Sequence, residues 1–102
     1  MPQAGPGRIL EAWAVPNPDP RALAVDLDGQ ADSIGCRVYT QAMVCAASTE
    51  MPGHWRPGWN RVPLPAGFMA GLADGLYELV VTSDGTGGER ACPRPLAVMI
   101  LR

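Results

Sequence analysis

Apolar and polar residues alternate along most of this chain with a period of two, the spacing that sends successive side chains to opposite faces of a β-strand. GLYELVVTS (75–83) shows it most clearly, and its β-branched and aromatic content agrees with a strand. ALAVDLDG (22–29) sets Leu23, Val25 and Leu27 against Ala24, Asp26 and Asp28, which predicts a half-buried strand. RILEAWAV (8–15) predicts another, with Ile9, Glu11, Trp13 and Val15 on one face and Leu10, Ala12 and Ala14 on the other. PNPDP (16–20) stops it, because three prolines in five residues cannot pair in a ladder.

QADS (30–33) reads as a turn, and the stretch 34–48 is too long for one strand. Ile34, Cys36 and Val38 alternate inward while Arg37 and Tyr39 face out; a bend near Gln41 and Ala42 then leads into a short strand from Met43 to Ala47. A helix competes over TQAMVCAA (40–47), whose residues are good helix formers. Residues 48–58 read as loop. WNRVPLP (59–65) alternates Trp59, Arg61 and Pro63 against Asn60, Val62 and Leu64, and Pro63 consigns it to a sheet edge. Residues 66–74 form a connection with room for one helical turn, and DGTGGERACP (84–93) a glycine-rich hairpin connection. RPLAVMILR (94–102) is apolar on both faces, Leu96, Val98 and Ile100 against Ala97, Met99 and Leu101, so it is expected to be central or covered. About seven short strands in 102 residues predict an all-β, Ig-like two-sheet antiparallel β-sandwich spanning 8–102, preceded by a flexible lead over 1–7.

Composition narrows the function. A net charge of −2 offers no basic field for nucleic acid, and no apolar run is long enough for a membrane-spanning helix. MPQAGPG (1–7) has neither a basic n-region nor an apolar h-region, so an export signal is expected elsewhere if the protein is exported. The eight cationic residues are all arginine and scattered, not clustered.

Cys36, Cys45 and Cys92 lack the C-x-x-C spacing of a zinc or thioredoxin site. They allow one disulfide of unknown pairing plus a buried thiol, or three free thiols. Asp26, Asp28 and Asp32 suggest a calcium loop, but Gly29 falls too early and no Glu closes it, which leaves solvated carboxylates. The single histidine, His54, has no nucleophile placed beside it by sequence, and no metal or cofactor motif is present. The expectation is a non-enzymatic protein.

Several residues carry structural expectations instead. Gly58 lets the chain turn before the strand, and Gly75 suits a positive φ. Asn17, between Pro16 and Pro18, caps a turn with its side chain. Trp59 and Tyr77 are expected to supply large buried areas. His54, Trp55 and Trp59 lie close in sequence; they are read as stapling a loop to the core, and the second reading is that Trp55 and Trp59 stack on sugar rings.

Five motifs in order, PNP (16–18), VYT (38–40), PGWNRVPLP (57–65), DGLYELVV (74–81) and PLAVMILR (95–102), carry a resemblance that covers nearly the whole chain. Together with Tyr39, Gly58, Asn60, Gly75 and Tyr77 within them, they resemble the immunoglobulin-like domain of the flagellar hook-capping protein. They are also similar to the C-terminal Ig-like, sorting-type modules of secreted bacterial proteins. LPAGFMAGLADG (64–75) lacks the W-D-G-x-D-x-x-G loop frequent in that family, and the cysteines lie outside its pattern. The resemblance implies a non-catalytic module of an exported bacterial protein, extracellular or in the cell envelope, without cofactor. It would act in anchoring, sorting or assembly through surface and edge-strand contacts with other domains or subunits, or with copies of itself. A carbohydrate-binding sandwich using exposed Trp residues is the alternative function.

Overall fold

The computed structural model describes residues 8–16, 20–65, 67–85, 88–92 and 94–101. Asn17 and Pro18, and the lead over 1–7, lie outside them. Eight strand segments follow one another: β1 (Ile9–Val15), β2 (Ala22–Leu27), β3 (Ala31–Tyr39), β4 (Cys45–Trp55), β5 (Gly58–Pro63), β6 (Gly75–Gly85), β7 (Gly88–Ala91) and β8 (Leu96–Ile100). A three-stranded antiparallel sheet has the order β1-β2-β5. The second sheet has the order β4-β3-β6, and β6 carries β7 on its C-terminal half and β8 on its N-terminal half. β7 and β8 together form one interrupted edge, so the sandwich has seven strand positions, and the expected fold class holds. Among the described residues no helix is long and apolar enough to cross a membrane.

The core is the layer where the two inner faces meet. Leu23, Val25 and Leu27 of β2 and Val62 of β5 oppose Ile34, Cys36 and Val38 of β3, Leu79 and Val81 of β6, and Val98 and Ile100 of β8. Each is at most 2% exposed, and each such aliphatic side chain contributes about 1.5–3 kcal/mol. Turns over 67–72, closed by Phe68 N–H to Pro65 O and Leu72 N–H to Met69 O, lay Met69 over one end of this layer.

Several sequence expectations are corrected. β1 does not alternate strictly: a bulge between Ile9 and Glu11 makes Leu10 the extra residue, so Ile9 joins Ala12 on the inner face while Glu11 and Trp13 stay outside. The turn before β3 falls at Asp28–Gln30, and Ala31, expected within a turn, is a buried strand residue opposite Trp55. β4 runs through Pro52 and Gly53 to Trp55 where a loop was expected. It can do so because it is an edge strand, and a register shift opposite Ala31–Ser33 absorbs the extra residue. The helix alternative at 40–47 gives way to a tight turn, with Thr40 N–H to Val44 O at 2.9 Å and Met43 N–H to Thr40 O at 2.9 Å. β7 occupies much of the expected glycine-rich connection. Among the described residues β8 pairs with β6, and Met99 is 40% exposed on its outer face.

Candidate functional site

The turn from β4 into β5 is built from short-range chemistry. Gly58 adopts φ +96°, a left-handed conformation that costs other residues about 1 kcal/mol or more. Two residues later the Asn60 side chain closes the turn: its Nδ2 donates to Arg56 O at 2.7 Å and Gly58 O at 3.0 Å, and its Oδ1 accepts from Arg56 N–H. This turn fixes which way β5 faces. Val62 points inward, so Trp59 and Arg61 point out.

Trp59 is therefore not a core residue; it is 56% exposed. The alternation along 59–65 is as read from sequence, but the face assigned to the core was the wrong one. Trp55, by contrast, packs half-buried against the core, and its Nε1 donates to Met51 O at 2.9 Å. The pair Trp55 and Trp59 does not form a common platform. A different residue joins Trp59: Trp13, 55% exposed because the β1 bulge turns it outward. On the outer face of the three-stranded sheet the register gives one row Trp13–Ala24–Arg61 and the next Glu11–Asp26–Trp59. Trp13 could be found in sequence only by recognising the bulge at Leu10.

The other motif residues hold structure. Gly75 has φ +153°. Tyr77 is buried, and its hydroxyl donates to Ala73 O at 2.7 Å, a tyrosine corner pinning the entry to β6. Tyr39 ends β3, half-buried, opposite Glu78 and Cys45, and Pro16 follows β1.

All three cysteines are free. Cys36 lies opposite Val81, whose carbonyl accepts from Cys92 N–H, so Cys36 and Cys92 are two strand spacings apart, about 9–10 Å, beyond disulfide reach. Burial pushes the Cys36 thiol up to about 12. Cys45 is exposed at the start of β4, opposite Tyr39. His54 is exposed on β4. Of the three aspartates, Asp28 latches the start of β1: its carboxylate accepts from Arg8 N–H at 2.6 Å and Arg8 Nε at 2.7 Å, and its own N–H donates to Arg8 O. Asp26 and Asp32 lie on different elements, β2 and β3.

A second feature lies along one side of the sandwich. β1 is an edge of the three-stranded sheet and β8 lies beside it in the second sheet, and a groove of about 560 Å³ opens between them. Leu10, Ala12, Ala14 and Leu96 line it, and Glu11 and Trp13 of β1 border it as well. On the opposite side the edge strands β4 and β5 each contain a proline, Pro52 and Pro63. β1 and β8 contain none. Comparisons with known protein families, with curated proteins and with solved structures find no match.

Proposed function

We propose that this sandwich is a non-catalytic interaction module of an exported bacterial protein that takes up a partner strand along the β1/β8 side. The observation that carries the reading is the proline-free β1 edge, which borders a largely apolar groove. Unpaired edge N–H and C=O groups supply affinity for an extended segment, and a groove between the sheets supplies pockets for its alternate side chains. Prolines protect the other two edges, so pairing is steered to one side. The Ig-like character and the export are supported by the ordered sequence motifs from PNP to PLAVMILR. A non-catalytic role fits a core thiol held protonated by burial and a histidine that stands exposed on an edge strand.

The simplest form of this reading is assembly with a second copy. Light scattering over a concentration series is expected to give a mass rising above the 10.8 kDa of one chain. Leu10→Lys, which places a charge at the groove without touching the core, should return it to monomer. A mass fixed at one chain throughout would remove self-assembly.

A further inference from the structure

The outer face of the three-stranded sheet meets the groove at Glu11 and Trp13 and extends away from it to Asp26, Trp59 and Arg61. Ala24 of β2 gives it a low centre between Trp13 and Arg61, while Ala22 is buried. Trp13 stands on one edge with Glu11 two residues before it on the same face. Trp59 stands on the other edge with Arg61 two residues after it. Asp26 lies between Glu11 and Trp59. Two strand spacings and two residues of rise put the Trp13 and Trp59 backbones about 12 Å apart. The side chains of Glu11, Asp26 and Arg61 have no hydrogen-bond or ion-pair partner among the described residues.

Each indole thus offers an apolar face beside a free charged hydrogen-bonding group. A pyranose with equatorial hydroxyls is the complement of that arrangement. Its C–H face stacks on an indole, and its rim of hydroxyls both donates to carboxylates and accepts from guanidinium. A protein partner fits less well. The fully covered centre of a protein interface is depleted of charge, and here it would bury the unpaired Asp26 carboxylate. A nucleic acid fits worse, since two carboxylates outnumber one guanidinium on the face.

We infer that this face binds a linear, neutral glycan of β-1,4-linked pyranoses, with rings stacked on Trp13 and Trp59 and hydroxyls held by Glu11, Asp26 and Arg61. Such a glycan is an extended ribbon that can reach two indoles about 12 Å apart at once, whereas an α-1,4-linked chain coils. The inference is distinguished from strand uptake by Asp26, Trp59 and Arg61, which lie on this face and do not line the groove, whereas Glu11 and Trp13 border both.

The test is titration of the purified chain with cellohexaose and chitohexaose, and with maltohexaose as the curved comparison, followed by tryptophan fluorescence and calorimetry. At least one flat oligomer is expected to bind and maltohexaose is not. Trp13→Ala and Trp59→Ala should each weaken binding by roughly tenfold, the loss of one stacked ring, and the double variant should abolish it. Both indoles are exposed, so the melting temperature should stay put. Trp55→Ala, which removes a packed ring, should lower the melting temperature instead. Trp59→Ala, which lies away from the groove, should leave self-association unchanged while weakening glycan binding, which keeps the two readings separable. Absence of binding to both flat oligomers, or binding that survives the double variant, overturns the inference. So does a protein partner that is lost with Trp59→Ala when no glycan binds.

Discussion

Cys36 shows how one residue can look reactive in sequence and be inert in the fold. Its thiol sits in the middle of β3 facing the core, 1% exposed, and burial raises its pKa from 9.0 to about 12. An unfolded chain releases this proton near pH 9, whereas the folded chain keeps it. The stability tied to the neutral thiol is therefore present in full below pH 9 and is lost as pH rises from 9 toward 12, by about 4 kcal/mol at most. Denaturant titrations across that window should show the fall, and Cys36→Ala should flatten it. Alkylation at pH 8 should label exposed Cys45 first and Cys92 more slowly, with Cys36 reacting only on unfolding. Rapid labelling of Cys36 in the native protein would contradict its placement.

At the scale of elements, the fit between β3 and β6 depends on a missing side chain. A Cβ added at Gly35 would stand 2.5 Å from Thr82 Oγ1 across the strand pair. Thr82 is buried and β-branched, so it cannot swing away. Gly35→Ala should destabilise by about 1–3 kcal/mol, and Thr82→Ala should recover part of that loss in a double-mutant cycle. Simple additivity would mean that the strands separate locally instead of clashing. This contact was not legible in sequence, because it needs the register Gly35 opposite Thr82. The turn at Gly58 was legible, since a glycine ahead of an alternating run marks a left-handed entry and Asn60 can close it from within the same segment.

At the scale of the molecule, the four edges are not equivalent. Pro52 and Pro63 sit in the edges on one side, and the β1 edge that borders the groove holds none. If the prolines act as guards, Pro63→Val should open a second pairing edge on β5. The variant is expected to associate more strongly than the parent in light scattering, and Leu10→Lys should not suppress the added association. An unchanged mass would mean that Pro63 only ends the strand.

The period-two pattern determined most of the strands, the sandwich and the inward triads Leu23/Val25/Leu27 and Ile34/Cys36/Val38, but not the second half of β4 or β7, which read as loop. These are local facts: alternation is a property of consecutive residues, and strands with one apolar face have few ways to hide it. Only the tertiary structure decided which face of a mixed strand is outside. β5 has a Trp/Arg/Pro face and an Asn/Val/Leu face, and neither is plainly the core until Val62 is seen to meet the opposite sheet. The bulge at Leu10 that exposes Trp13 has no marker in the sequence, because it arises from pairing with β2. Likewise the pairing of β8 with the N-terminal half of β6 is set by long-range contacts and not by composition. The Trp13–Trp59 face and the open β1/β8 groove both follow from such non-local pairings.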